Sequence, residues 1–399
     1  MKRIEVHADW VGLGGPTTVG VLHTDIVRGA EVFAFEYERA WLDRGLRTLD
    51  PALGLWTGRQ YAPTDNFGVF LDSCPDRWGR VLMQRREVLR ARHDGRRPAH
   101  LHESDYLLGV HDGHRMGGLR FRTDGAFLDD DDRHAAPPWT SLGDLQRAAQ
   151  GVEAGDDRWI HMLIAPGSSL GGARPKASVL DEEGQLWIAK FPSRSDDHDV
   201  GAWELLVHAL AGRAGLDVPE ARSERFGDHA TFLTRRFDRG AEGRVHFCSA
   251  MTLLERRDGE GASYLELAEV LKQHGAATNR DLAQLWRRIA FNICVSNTDD
   301  HLRNHGFLLT EEGWRLSPAY DMNPVPWAGG LSLNLDEVDN RQDLGLLREI
   351  APQFRIRNPL SVLAEVVEAV RSWPELAADR PRSERERMAG AFAVADDPL

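Results

Sequence analysis

Asp299 and Asn304 stand five positions apart in Asn297-Thr-Asp-Asp-His-Leu-Arg-Asn304, and Asp321 follows in Ser317-Pro-Ala-Tyr-Asp-Met-Asn-Pro324. This interval suits phosphoryl transfer from ATP, with one carboxylate beside the attacking hydroxyl and one amide oxygen on a magnesium ion. Asp321 supplies the second metal ligand on this reading. The transferring phosphoryl group is highly charged in its loose transition state, so a protein contributes mainly positioning and charge neutralisation. Magnesium prefers oxygen ligands and completes its shell with water and phosphate, so one Asp and one Asn suffice. His301 is either a brace that hydrogen-bonds the loop or a group on the metal and nucleotide side of the site. Asp300 adds a second carboxylate, able to tune metal affinity or to compete as base.

Taken alone, Asp, Asn and His in a short stretch are equally at home in a solvated turn. The flanking elements give the stretch its weight. Leu285 to Ser296 is an apolar helix leading into the loop, and Gly306-Phe-Leu-Leu309 with Trp314-Arg-Leu316 is a short hairpin leaving it, turning at Glu312-Gly313.

Lysine usage gives a second signal. Of 49 Lys plus Arg, only four are Lys, at positions 2, 176, 190 and 272. Lys190 ends the apolar strand pattern Leu186-Trp-Ile-Ala-Lys190, where a compact ammonium can reach phosphates that fit a planar guanidinium poorly. Glu204, in the helical stretch Val200 to Leu210, is a partner for Lys190 or a solvated helix-face acid. Pro166-Gly-Ser-Ser-Leu-Gly-Gly-Ala-Arg-Pro-Lys176 is Gly-rich and precedes the first strand of this region. Backbone N–H groups at Gly171 and Gly172 could approach phosphate oxygens closely there, with Lys176 at its end. It matches neither a Walker A motif nor G-x-G-x-x-G.

Together these segments resemble the HipA serine/threonine kinase toxins of bacterial type II toxin–antitoxin systems. The resemblance rests on Ser169-Leu-Gly-Gly-Ala-Arg-Pro-Lys176, Trp187-Ile-Ala-Lys-Phe-Pro192, Arg236-Phe-Asp-Arg239, Asn297 to Asn304 and Ala319-Tyr-Asp321. Cys74-Pro-Asp-Arg-Trp-Gly-Arg80 and Leu107 to Phe121 are similar to the N-terminal subdomain of that family. The resemblance implies Asp299 as catalytic aspartate, Asn304 and Asp321 as magnesium ligands, and Lys190 as the phosphate-contacting lysine. It implies a hinge at Thr231 to Asp238, with the backbone of Arg235 and Phe237 holding adenine. It also implies autophosphorylation at Ser169 or the adjacent Ser168, drawing the loop out of the ATP site. The implied substrate is a component of translation, such as an aminoacyl-tRNA synthetase, and the implied partner is a helix-turn-helix, HipB-like antitoxin, with DNA met only through it.

Composition sets the outer bounds. The chain has 399 residues, 42% hydrophobic and 28% charged, as expected of a soluble globular protein with two or three cores. No stretch reads as a membrane span or a signal peptide, which points to the cytoplasm. Cys74, Cys248 and Cys294 lack C-x-x-C spacing, so reduced thiols are expected and zinc is not. A formal charge of −13 opposes dominant DNA binding. The basic run Gln84 to Arg97 reads as a solvated helix face and turn, or as a contact for DNA or an acidic partner.

The periodicities predict an α+β chain with a two-lobed, protein-kinase-like fold. Residues 1–125 form a small α+β subdomain, with strands at Gly20 to His23 and Val32 to Tyr37 and a helix around Arg77 to Arg92. Asp129 to Pro138 reads as a linker. Residues 126–238 form a β-rich nucleotide lobe, with a helix at Leu142 to Val152. Residues 239–399 form an α-helical catalytic lobe that includes Ser361 to Val370. Two other function classes stand beside the toxin: a small-molecule phosphotransferase, and a non-catalytic kinase-fold subunit of a repressor complex.

Overall fold

The computed structural model describes residues 2–128, 137–164, 174–327 and 329–396. Two compact units divide the chain, one of Met1–Ser195 with Leu233–Cys248 and one of Asp196–Phe232 with Ser249–Leu399. Most of the acidic linker expected at 129–138, and the Gly-rich segment with Ser168, Ser169, Gly171 and Gly172, lie outside the described residues.

The first unit begins with β1 (Lys2–Ala8), β2 (Thr17–Val27), β3 (Ala30–Tyr37), β4 (Gln60–Tyr61), β5 (Leu119–Thr123) and β6 (Ala126–Phe127). They make a six-stranded antiparallel sheet in the order β4-β3-β2-β1-β5-β6. Alternation along β1 buries Ile4 and Val6, which face Leu22 and Phe121 on the neighbouring strands. β2 and β3 outrun the apolar segments that predict them, because the two-residue turn Arg28-Gly29, with both φ positive, keeps the pairing going past the buried positions.

The Cys74 to Arg80 motif has a physical explanation. Asp76 caps α1 (Arg77–His93) by accepting from the Gly79 N–H at 2.7 Å. The other oxygen of the same carboxylate lies 3.0 Å from Lys176 Nζ, and both side chains are buried. Arg80 reaches Glu103 through two hydrogen bonds of 2.6 and 2.7 Å and lies over the Tyr106 ring. Trp78 and Leu82 enter a core with Leu145 and Val152 of α2 (Leu142–Glu153), Val179 of β7 (Lys176–Leu180) and Trp187 of β8 (Leu186–Lys190). The basic run is the last part of α1 and the turn after it. There Arg90 and Arg92 are exposed in the helix's final turn, where cations complement the carbonyl dipole, and Arg96 pairs with Glu87.

A buried charge network joins the Arg236 to Arg239 motif to the loop before β5. Asp238 accepts from Arg236 at 2.8 and 2.6 Å, from Arg239 at 2.6 Å and from the Gly117 N–H at 2.8 Å. The two arginines also donate to backbone carbonyls, Arg236 to His114 and both to Arg115. Gly117 is required: its φ is +74°, and a Cβ would meet the Phe247 backbone nitrogen at 2.9 Å. Asp112 does the same work beside it, taking Arg120 at 2.6 Å and Arg244 at 3.0 Å.

In the second unit, Asp199 caps α3 (Val200–Arg213), which leads through β9 (Ala221–Arg225) to β10 (Ala230–Arg235), where the chain passes between units. α4 (Tyr264–His274) starts with a reciprocal Ser263 and Glu266 cap, and α5 (Thr278–Cys294) packs on α6 (Pro359–Arg371). α5 begins seven residues before the apolar run that predicts it. Its first turns are amphipathic, burying Asp281 and Leu282, and Asp281 grips Arg315 of the following hairpin at 2.8 and 3.0 Å. That hairpin pairs Phe307 with Leu316 and Leu309 with Trp314, as its sequence predicts. Cys74, Cys248 and Cys294 are buried and unbridged. Among the described residues no helix is long and apolar enough to cross a membrane.

Burial pushes the Asp238 carboxyl up, but the Arg236 and Arg239 guanidiniums outweigh it and hold the group at about 2. Its folded value lies below the ordinary value near 3.9, so its contribution is complete above about pH 4 and drains away as pH falls toward the folded value. Asp238→Asn is expected to flatten that acid limb and to lower stability at pH 7 by about 3 kcal/mol. Urea unfolding at pH 7 and pH 3 measures both effects, and unchanged midpoints would contradict the pairing.

Candidate functional site

The end of α5 shapes the loop that follows. Ser296 takes a left-handed φ of 52°, and the Asn297 N–H bonds back to the Asn292 carbonyl at 2.9 Å, closing the helix and turning the chain out. The Asn297 side chain then joins two segments. Its Nδ2 donates to Asn292 Oδ1 at 3.1 Å, and its Oδ1 accepts from the Asn323 N–H at 3.2 Å. Tyr320 Oη donates to the Arg303 carbonyl at 2.7 Å. These two ties, one on each side of Asp321, bring it to the loop that carries Asp299 and Asn304.

The three residues differ in exposure. The Asp299 side chain is 63% exposed, while Asn304 is buried. Asn304 Nδ2 donates to the Asp299 carbonyl at 2.6 Å, which orients the amide with Oδ1 as its acceptor atom. Asp321 has a φ of 56°, a left-handed conformation uncommon for a residue with a Cβ and found at sites where function fixes the backbone. Asn323 Nδ2 lies 3.4 Å from its carboxylate. Among the described residues no group of three or more His, Cys, Asp and Glu could hold a metal. An Asn amide oxygen and one carboxylate instead match a hard ion that keeps water and phosphate in its shell. His301 Nε2 stands 3.6 Å from Asp299 Oδ1, placing the imidazole against the exposed carboxylate.

Asp300 does not share the role of its neighbour. It is buried, Oδ2 accepts from Tyr264 Oη at 2.5 Å, and Oδ1 accepts from the Ser332 N–H at 2.6 Å. Both oxygens face inward, so the expectation that Asp300 tunes the metal or competes as base is corrected. Burial raises its carboxyl despite those bonds, and burial together with Asp300 raises the Tyr264 phenol. His305 is held neutral by burial, with its value lowered to about 3, and its Nε2 donates to the Asp300 carbonyl at 3.1 Å.

The first unit places the remaining residues. Lys190 ends β8 and is half-buried, directly across the strand pair from Lys176. Like charges opposite one another repel, and Asp76 offsets the charge on Lys176. Lys176 is thus buried with its ammonium on a carboxylate, at the end of the Gly-rich segment expected to cradle phosphate. Arg235 ends β10 and donates to Gln185 at 3.0 Å, and the Phe237 ring lies 6.2 Å from Phe247. The Arg236 N–H, just past the end of β10, bonds the Leu186 carbonyl at 3.0 Å, and Phe237 lies in the turn that follows. In the second unit, Glu204 is buried on α3 and is not a solvated acid. Asn292, Tyr264 and Ser332 are absent from the residues that the sequence singles out, and Asn297 and Asn323 stand in the two quoted motifs without an assigned role. Asn292, a polar residue amid the apolar run of α5, is the one local signal of that network.

An α+β, kinase-like fold with an Asp, Asn and Asp set on one loop and its return segment is thus the class. The chain is similar to HipA in a solved complex of the Shewanella oneidensis toxin–antitoxin system HipA, HipB and its operator DNA. That similarity covers 98% of this chain and 95% of the other, with a TM-score of 0.66 at 16% identity. A model of the HipA-like C-terminal domain matches residues 168–374, more than half of the sequence, and the chain belongs to that family. Among curated relatives, a Sinorhizobium fredii protein named "Putative kinase Y4mE" is 26% identical over 180 residues, 39% of this chain and 41% of its own length. Toxin YjjJ of Escherichia coli is 25% identical over 173 residues, 41% of this chain and 39% of its own length. The chain spans about two fifths of the length of these relatives.

Asn297→Ala would strand the Asn292 and Asn323 groups and is expected to cost about 2 kcal/mol of stability. Tyr264→Phe, which deprives Asp300 of its phenol donor, should cost about 1–2 kcal/mol. Urea unfolding of both variants checks the network, and losses within about 0.5 kcal/mol, as for ordinary surface changes, would contradict it.

Proposed function

We propose that this chain is an ATP- and magnesium-dependent serine/threonine protein kinase acting as the toxin of a type II toxin–antitoxin module. The observation that carries this reading is the exposed Asp299 carboxylate beside an Asn304 amide whose nitrogen is fixed and whose oxygen is left as a ligand atom, with Asp321 tied to the same loop. The kinase and toxin names of the relatives, and the toxin–antitoxin complex with the similar fold, support it.

On this reading Asp299 accepts the proton of the attacking hydroxyl, and His301 keeps that carboxylate oriented. Asn304 Oδ1 and the Asp321 carboxylate would hold magnesium, which when bound neutralises charge on the phosphate oxygens. Lys190 contacts the α- and β-phosphates, with Lys176 committed to Asp76 behind it. The backbone of Arg235 and Phe237 holds adenine. The N–H groups of Gly171 and Gly172 cradle phosphate, and Ser169 or Ser168 receives phosphate in autophosphorylation. A phosphoserine there adds nearly two negative charges and would draw the segment toward Arg or Lys, silencing the enzyme. The target is a component of translation, and a helix-turn-helix antitoxin is the partner through which DNA is met.

Incubation of the purified chain with γ-labelled ATP and magnesium, followed by mass spectrometry, tests the proposal. Label on Ser168 or Ser169 is expected, with transfer reduced on the order of 10²–10⁴-fold in Asp299→Asn. Asp321→Asn should also lose transfer. No label from unphosphorylated wild-type protein that binds ATP, or label unaffected by Asp299→Asn, would contradict it.

A further inference from the structure

The residues on either side of Asp299 both bind Ser332, thirty or more positions away in the sequence. Ser332 Oγ donates to the Thr298 carbonyl at 2.7 Å, and the Ser332 N–H donates to Asp300 Oδ1 at 2.6 Å. Asp299 projects outward between these two attachments. From this geometry we propose that Asp300 and Ser332 form a clasp that positions Asp299 for phosphoryl transfer. The proposal deepens the kinase reading and rests on it.

The clasp is anchored on its far side. Leu331, Leu333 and Leu335 are buried, which keys this bending segment into the second unit, with Ser332 exposed between the first two. Next to it, the Tyr264 N–H donates to the Asn334 carbonyl at 2.9 Å and the Asn334 N–H donates to the Ala262 carbonyl at 3.0 Å. Tyr264 Oη then closes the circuit by donating to Asp300 Oδ2. The loop holding Asp299 is therefore fixed to α4 through Asp300 and to the 331–335 segment through Thr298 and Asp300. Asn304 pins the Asp299 carbonyl from the other direction.

This arrangement bears on rate more than on folding. The Ser332 hydroxyl is at the surface, so deleting it opens no core cavity. Misplacement of a reacting group by about 1 Å can cost on the order of 10²-fold in rate. A clasp that sets the peptide on either side of Asp299 controls where its carboxylate stands without touching nucleotide or substrate. Ser332 and Asp300 are positioning residues in this sense.

Ser332→Ala, Ser332→Thr and Asp300→Asn test the clasp in the full chain. Three quantities are read: phosphotransfer rate at saturating ATP and magnesium, ATP affinity by calorimetry, and amide hydrogen exchange of residues 297–304. Ser332→Ala is expected to slow transfer about tenfold or more with ATP affinity within about twofold, and Ser332→Thr, which keeps the hydroxyl, to restore the rate. Exchange across 297–304 should quicken in Ser332→Ala and Asp300→Asn while the melting temperature of Ser332→Ala stays near that of the wild type. A wild-type transfer rate in Ser332→Ala, or unchanged exchange in both variants, would overturn the clasp. If the wild-type chain transfers no phosphate at all, the kinase reading falls, and the exchange measurement still decides whether the loop is held as described.

Discussion

One exposed carboxylate has to stand still at the end of a helix, and the second unit of this protein is built around that constraint. A loop residue on its own would sample many conformations, at an entropic cost of about 1–2 kcal/mol per residue when ordered. Here the ordering is supplied by hydrogen bonds, buried at Asn292, Asn297 and Tyr264, whose loss would leave polar groups unsatisfied. Asn292 and Asn297 close α5, Asn323 and Tyr320 tie the return segment to the loop, and Tyr264 holds Asp300 from beneath. Adjacent acids thereby take opposite duties, with Asp299 facing solvent and Asp300 facing the interior. Buried networks of this kind specify one arrangement because a partly formed version costs more than none.

The first unit uses charge in the same way. Asp76 caps a helix and neutralises Lys176, which lets a second lysine, Lys190, sit directly across the strand pair. Asp238 and Asp112 gather arginines that also satisfy backbone carbonyls in the loop before β5. Breaking such a pair strands a buried charge, so these residues are costly to change even though hydrophobic replacement of the whole set could be neutral. The motifs Cys74 to Arg80, Arg236 to Arg239 and Leu107 to Phe121 are therefore parts of two ion networks, which explains their shared presence in the chain without assigning them chemistry.

Much of this was legible in the sequence where the cause is local. The strand ending at Lys190, the hairpin turning at Gly313 and the helices at Leu142 and Pro359 follow from short-range alternation and turn chemistry. The start of α5 was less visible because its first turns are polar outside and buried at Asp281 and Leu282, so a search for a continuous apolar run finds only the later half. Residues with long-range partners could not be read at all. Nothing beside Asp300 announces Tyr264 or Ser332, 36 and 32 positions away, and nothing beside Lys176 announces Asp76. The same limit applied to Glu204, whose helix pattern suited either face.

On the proposed kinase reading, Asn304 and Asp321 form the metal side of a nucleotide site. Calorimetric titration of ATP with and without magnesium, in the wild type, Asp299→Asn and Asp321→Asn, tests it most directly. Magnesium is expected to tighten ATP binding by about tenfold or more in the wild type and Asp299→Asn, and this gain is expected to disappear in Asp321→Asn. ATP binding indifferent to magnesium in the wild type, or a full magnesium effect in Asp321→Asn, would contradict it.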